Sequence, residues 1–93
     1  YVYVTSDNPR SEDPERIVQD IMRGIRRLPD RASHVEIELD RREAIRKAVA
    51  RAGAKDVVLI AGKGHETYQE IRGVRHPFDD REAAREAIRS LKP

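Results

Sequence analysis

Short apolar runs alternate with helix-like patterns along the chain. A β-branched and aromatic run occupies residues 1–4, and a second run at 35–39 alternates apolar with charged positions. A third run, at 56–62, is apolar between Asp56 and Gly62. Alternation is typical of a strand with one solvent-exposed face, whereas an unbroken apolar run is typical of a central parallel strand. We therefore predict three strands, with 56–62 as the most deeply buried.

Acidic caps and apolar stripes predict three helices. The expected caps are Asp13, Asp40, and either Asp79 or Asp80. The expected ends lie near Leu28–Pro29, at Gly53 and at Pro93. Pro14 suits a first helical position, and Glu43 has capping-box spacing from Asp40. The stripes expected to face the core are Ile17, Val18, Ile21, Met22 and Ile25, then Ala44, Ile45, Ala48, Val49 and Ala52, and finally Ala83, Ala84, Ala87, Ile88 and Leu91.

The order of these elements indicates the fold class. Gly73 separates two short runs within residues 67–78, which predicts a hairpin, and Pro77 is tolerable only at its edge. Three strands alternating with two helices, followed by a hairpin and a last helix, predict an α/β fold with a mainly parallel sheet. Ligands of such sheets bind beyond the carboxyl ends of the strands. Two polar segments, TSDNPR and GKGHE, leave predicted strands at that edge.

Composition narrows the class of protein. With 93 residues, 39% of them charged and 38% hydrophobic, the chain is one small globular domain at most. The net charge is only +2 and aromatics make up 4%, so neither a basic stripe nor a base-stacking surface indicates nucleic-acid binding. No apolar run is long enough to cross a membrane, and no signal peptide is visible. The lack of cysteine suits a cytoplasmic protein.

The polar residues match none of the common catalytic patterns. The GKGHE segment lacks the spacing and the hydroxyl of a phosphate loop, and a zinc site would need ligands closer together than His34, His65 and His76. Complementary charge remains, with Arg10 in one loop and Glu66 in the other. These could hold a small zwitterion, since a guanidinium pairs with a carboxylate and a carboxylate accepts from an ammonium. Two solvated turns remain the alternative on spacing alone.

Three sequence blocks carry a resemblance to a known family. They are TSDNPRSEDP, then DVVLIAGKGHETYQ, then FDDREAA. In this order they resemble the Mur ligase family, specifically its members that add meso-diaminopimelate, and the match extends over essentially the whole chain. The resemblance implies a Rossmann-like α/β unit, with a mainly parallel sheet, flanking helices and a C-terminal antiparallel hairpin. Residues 1–93 would then be a single segment of the C-terminal, amino-acid-binding domain, truncated on its N-terminal side.

The resemblance also implies roles for individual residues. Asn8 and Arg10 would contact the distal end of meso-2,6-diaminopimelate, with Arg10 pairing with its carboxylate. Gly62 and Glu66 would hold the same end, with Glu66 taking the ammonium. The residues expected to shape the two loops are Asp7, Pro9, Lys63, Gly64 and His65. No catalytic residue and no metal ligand is expected on this chain.

The family reaction needs more than this segment. Members activate the carboxylate of UDP-MurNAc-L-Ala-D-Glu with ATP and Mg, which bind mainly outside the segment, and the amine then attacks the acyl phosphate. The chain lacks the phosphate loop, the magnesium ligands and a further arginine segment of the substrate site, so we expect it to need the remaining ligase domains. A non-catalytic small-molecule binding module and a structural fragment with vestigial loops stay open as alternatives. Calorimetry with diaminopimelate would separate these two.

Overall fold

The computed structural model describes residues 1–28 and 34–91. Its elements are β1 (Val2–Val4), α1 (Pro14–Arg26), β2 (Val35–Ile37), α2 (Arg41–Arg51), β3 (Tyr68–Ile71), β4 (Val74–Pro77) and α3 (Asp80–Ser90). The α/β class and the C-terminal hairpin are thus confirmed. The helix ends expected at Pro29 and Pro93 lie outside the described residues. None of these helices is both long and apolar enough to cross a membrane.

A strand–helix–strand unit forms the first half of the fold. β1 and β2 pair in parallel, with Val2 opposite Val35 and Val4 opposite Ile37. Helix α1 connects them, and its Val18 and Met22 pack on Val4 to form a buried cluster. Around this cluster lie Ile25, Val35 and Leu39, which are partly buried. The cluster holds the end of β1 in place, and with it the start of the polar segment that follows.

A second apolar cluster joins α2 to α3. Its buried members are Ile45, Val49, Phe78, Ala83 and Ala87, with Ile60 and Ala84 packed against them. The predicted stripes are therefore largely confirmed. The exceptions are Ile21, Ile88 and Leu91, which are 43%, 51% and 53% exposed. The described residues supply no packing partner that fully covers these three side chains.

The predicted third strand is wrong. Residues 56–62 form no strand among the described residues, and Val57 and Leu59 are 93% and 85% exposed. Val58 and Ile60 are more buried, so the segment is still extended with alternating sides. A central parallel strand needs a hydrogen-bonded neighbour, and the described strands pair only as β1–β2 and β3–β4. The mainly parallel sheet is therefore reduced to one parallel pair beside an antiparallel hairpin.

The predicted helix caps are confirmed. Asp13 accepts from the Glu15 amide at 3.1 Å, and Asp40 accepts from the Glu43 amide at 3.2 Å. At α3 the cap is Asp79, which accepts from the Arg81 amide at 2.9 Å. The capping box at α2 is only half formed, because the Asp40 amide donates to Glu38 and not to Glu43.

The hairpin closes through two residues in the left-handed region. Arg72 has φ 52° and Gly73 has φ 76°, as a tight turn between twisted strands requires. Tyr68 lies opposite Pro77 at the far end of the hairpin. A single bridge then joins Arg10 to Ile71, so that the hairpin docks beside the segment that follows β1.

Candidate ligand-binding site

Two polar loops lie in direct contact. We call residues 5–10, which follow β1, the first loop, and residues 62–66 the second loop. The Lys63 Nζ donates to Asp7 Oδ1 at 2.8 Å, and the Asn8 Nδ2 donates to Glu66 Oε1 at 3.2 Å. The prediction that these loops share one edge of the fold is therefore confirmed, although the segment before the second loop is not a strand.

Lys63 anchors the second loop to the first loop and to the start of β3. Its side chain is 0% exposed, and Nζ donates both to Asp7 and to the Tyr68 carbonyl at 2.7 Å. A buried ammonium is tolerated when its donors are bonded and an opposite charge lies beside it, and both conditions hold here. Lys63 therefore has a stronger structural role than loop geometry alone suggests.

Gly62 occupies a position that other residues fit poorly. Its φ is +107°, and a Cβ there would lie 3.3 Å from Asp7 Oδ2. Both the backbone conformation and the close approach of the first loop therefore favour glycine. Gly64 also has a positive φ, of 61°, but nothing lies near its missing side chain. The structure thus gives Gly62 a geometric reason that is independent of any ligand.

The hairpin fixes the backbone of the first loop. Asn8 Oδ1 accepts from the Glu70 amide at 2.8 Å, and the Arg10 amide donates to the Glu70 carbonyl at 2.9 Å. The Arg10 carbonyl accepts from Arg72, and Arg10 itself has φ 55°. Its side chain is exposed, and no ion pair engages it within residues 1–28 and 34–91. A rigid backbone therefore presents a guanidinium whose donors remain available.

A cleft of about 270 Å³ lies beside these loops. The predicted residues that line it are Asp7, Asn8, Pro9, Arg10 and Glu66. On its other side are apolar groups of α1, including Ile17 and Ile21. The exposed Ile21 thus forms part of the apolar wall of this cleft. A cleft with opposite charges and an apolar side suits a small zwitterion with an aliphatic body.

The remaining second-loop residues do not reach this cleft. Gly62, Lys63, Gly64 and His65 are absent from its lining among the described residues. Two residues that the sequence did not single out contribute instead. Tyr68 donates its hydroxyl to Glu66 Oε2 at 3.3 Å, which orients the carboxylate. Thr5 lines the cleft and has a buried Oγ1 without a hydrogen-bond partner in the described structure.

Arg41 is a further residue that sequence reasoning missed. It is 3% exposed and forms a two-pronged ion pair with Asp80, with both N–O distances at 2.7 Å. Hydrogen bonding to Asp80 raises the pKa of Arg41 above its ordinary value, against the opposing effect of burial. The sequence did indicate this position. Arg41 lies three residues before Ala44 and four residues before Ile45, so it shares their face of the helix. A charge on an apolar helix stripe predicts a buried partner.

The described residues contain no group of three or more His, Cys, Asp or Glu side chains that could hold a metal ion. The His34 ring lies 4.9 Å from the Tyr1 ring in a tilted arrangement and contacts Glu36, while His76 lies in β4 opposite Gln69. His65 is exposed in the second loop. The structure therefore gives each histidine a separate environment.

Comparison with known proteins finds relatives that match nearly the whole of this chain. A UDP-N-acetylmuramoyl-L-alanyl-D-glutamate--2,6-diaminopimelate ligase from Xylella fastidiosa is 53% identical over 90 residues, which cover 97% of this chain and 17% of that protein. The ligase of the same name from Aquifex aeolicus is 49% identical over 87 residues, covering 94% and 17%. This chain thus spans about one sixth of the length of such relatives.

A solved structure and a family profile complete the comparison. The structure, of a UDP-N-acetylmuramoyl-L-alanyl-D-glutamate--2,6-diaminopimelate ligase, superposes with a TM-score of 0.84 at 52% identity, and the match covers 96% of this chain and 18% of that one. The family profile described as "Mur ligase, glutamate ligase domain" matches residues 1–64. That match takes in the first loop and the start of the second, so the chain belongs to the Mur ligase family.

Proposed function

We propose that this chain is the amino-acid-binding part of an ATP-dependent ligase that adds meso-diaminopimelate to UDP-MurNAc-L-Ala-D-Glu during peptidoglycan precursor synthesis. The observation that carries the proposal is the placement of Arg10 and Glu66 on one cleft, by two loops that contact each other. Diaminopimelate differs from lysine by a carboxylate at its distal end. A guanidinium beside a carboxylate is complementary to that end, which carries both charges.

Each cleft residue has a role in the proposal. Arg10 pairs with the distal carboxylate, and Glu66 accepts from the distal ammonium. Asn8 contacts the same end, although it must share its Nδ2 with Glu66. Gly62 does not line the cleft, and its role in the proposal is to support this end by letting the second loop approach Asp7 without a side chain in the way. The role of Asp7, Pro9, Lys63, Gly64 and His65 is to hold the two loops in this geometry.

The segment supplies positioning in this proposal, and the remaining ligase domains supply activation. When bound, ATP and Mg provide the phosphoryl group and the charge neutralisation that turn the nucleotide-peptide carboxylate into an acyl phosphate. In the proposal ATP and Mg bind mainly outside this segment, and we assign no ligand of either to this chain. Holding diaminopimelate by its distal end would orient the other amine for attack. The proposed reaction uses ATP and UDP-MurNAc-L-Ala-D-Glu, and on this basis we propose a cytoplasmic location for the enzyme.

Substrate discrimination in the complete ligase tests the proposal. Removing one member of a desolvated charge pair costs about 2–5 kcal/mol, so Arg10→Ala should lower kcat/KM for diaminopimelate by roughly 30-fold or more. The KM for ATP should hardly change. Lysine has no distal carboxylate, so kcat/KM for lysine should fall much less than kcat/KM for diaminopimelate. The ratio of the two kcat/KM values should therefore shift towards lysine. Steady-state kinetics with both amino acids measures the ratio.

Arg85→Ala is the matched control for this experiment. Arg85 lies on α3, is exposed, and pairs with Glu82 one helical turn away. Exposed pairs of this kind contribute about 0–1 kcal/mol, so both kcat/KM values should stay close to those of the parent enzyme. An unchanged preference for diaminopimelate over lysine in Arg10→Ala would show that another residue reads the distal carboxylate.

A further inference from the structure

Arg41 lies beneath both loops of the candidate site. Its Nη1 donates to the Ser6 carbonyl and its Nη2 to the Ala61 carbonyl, each at 3.2 Å. Ser6 is in the first loop and directly precedes Asp7, while Ala61 directly precedes Gly62 and the second loop. One side chain is therefore bonded to the backbone at the base of both loops.

Asp80 holds this guanidinium in a defined plane. The pair is two-pronged, with side chains 3% and 12% exposed, so neither group has much water as an alternative partner. Four hydrogen bonds run from Arg41 to Asp80 and to the two carbonyls. A planar fork with several fixed donors can set the spacing between the groups that it bonds, which a flexible ammonium cannot do.

The contact between the loops depends on this spacing. The Asn8–Glu66 hydrogen bond, at 3.2 Å, joins the two loops beside the cleft. We infer that Arg41, held by Asp80, is a positioning residue that sets the separation of Arg10 and Glu66 and hence the fit of the distal end of the amino acid. This inference rests on the proposed function and extends it to a residue that does not line the cleft.

The test compares Arg41→Lys with Arg42→Lys in the complete ligase. Lysine keeps the charge but gathers its donors on one nitrogen, so it cannot bond Asp80 and both carbonyls together. Arg42 is adjacent on α2 but exposed, and its partner is Glu86 at the surface. We expect Arg41→Lys to raise the KM for diaminopimelate by roughly tenfold or more, with the KM for ATP and for the nucleotide-peptide within about twofold. Arg42→Lys should change all three by less than about twofold.

A double-mutant cycle separates positioning from a general loss of stability. In a Glu66→Gln background, the contact between residue 66 and the distal end of the amino acid is already weakened. Arg41→Lys should therefore raise the KM for diaminopimelate by less than about threefold in that background. A merely structural role would give the same factor in both backgrounds. Equal factors, or an unchanged KM for diaminopimelate in Arg41→Lys, would overturn the inference.

Asp80→Asn keeps the inference testable should Arg41→Lys fail to fold. Asparagine preserves the shape and one oxygen acceptor but removes the charge that holds the guanidinium. The KM for diaminopimelate should rise in the same direction by a smaller factor, and an unchanged KM would contradict the positioning role. Arg10→Ala is measured alongside. Unchanged discrimination there would refute the proposed function, whereas changed discrimination with an unchanged KM in the Arg41 and Asp80 variants would refute positioning alone.

Discussion

In the proposed function, Arg10 and Glu66 bind one end of one ligand. Their loops are fixed by other groups, Asn8 through the Glu70 amide and Glu66 through the Tyr68 hydroxyl. Little conformational entropy would then be lost when the charged groups meet a ligand. The proposal has both residues bind the same end, so losing one should weaken what the other can contribute.

This reasoning predicts non-additive kinetics. In the complete ligase, Glu66→Gln should lower kcat/KM for diaminopimelate through the distal ammonium, and so should Arg10→Ala through the carboxylate. The double variant should lose less than the product of the two factors, with a coupling of about 0.5–3 kcal/mol. Steady-state kinetics of all four proteins measures this coupling.

The matched control uses an exposed pair on α3. Glu82→Gln and Arg85→Ala remove an ion pair that is exposed on both sides and does not line the cleft. These changes, alone or together, should leave kcat/KM for diaminopimelate nearly constant. Additive effects for Arg10 and Glu66 would mean that the two residues do not grip one end of one substrate.

Two adjacent aspartates at the start of α3 have different functions. Asp79 caps the helix from a half-buried position, whereas Asp80 neutralises the buried Arg41. Replacing a cap costs about 1 kcal/mol, but leaving a buried charge without its partner costs about 3–5 kcal/mol. Asp80→Ala should therefore lower the free energy of local opening of α3 far more than Asp79→Ala does.

Native-state hydrogen exchange of the α3 amides measures that difference, because it reports local opening within a larger protein. Asp40→Ala at α2 provides a second cap of the same type, with a carboxylate bonded to the Glu43 amide. Its effect should match that of Asp79→Ala on its own helix. Similar losses for Asp79→Ala and Asp80→Ala would mean that the buried pair adds nothing beyond capping.

Local features were predictable from the sequence, and long-range ones were not. The caps at Asp13 and Asp40 and the turn at Gly73 follow from neighbouring residues, so their patterns predicted them correctly. The pairing of Lys63 with Asp7 joins residues 56 positions apart, and periodicity carries no information about it. Family resemblance placed both residues in the loops but did not predict their contact.

The failure at residues 56–62 has a different cause. An apolar run predicts that a segment will be buried, but it does not say which element will cover it. Ile60 packs against the cluster between α2 and α3, as a strand covered on one face would. Val57 and Leu59 point to the other side, where the described chain has nothing to cover them. The apolar pattern thus predicted the burial of one face correctly and predicted the burial of the other face wrongly.

The described fold is open on the side of Val57 and Leu59. The radius of gyration is 14.0 Å, against about 12 Å for a compact domain of this length, and the extents are 39 × 37 × 20 Å. An apolar groove of about 760 Å³ lies between β1 and residues 57–61, with Val2 and Leu59 among its lining residues. A broad apolar surface of this kind normally marks a site of contact with other protein.

We therefore predict that the isolated 93-residue chain self-associates through this face. Its sedimentation coefficient should rise with concentration across the micromolar range, where exposed apolar surface and free strand edges promote association. Leu59→Lys should suppress the rise by placing a charge on the groove. Val74→Lys is the matched control, since Val74 is 55% exposed on the hairpin and does not line the groove, and it should associate as the parent chain does. A concentration-independent monomer with a sharp two-state melting transition would contradict the prediction, because it would mean that the chain tolerates this uncovered face without a partner.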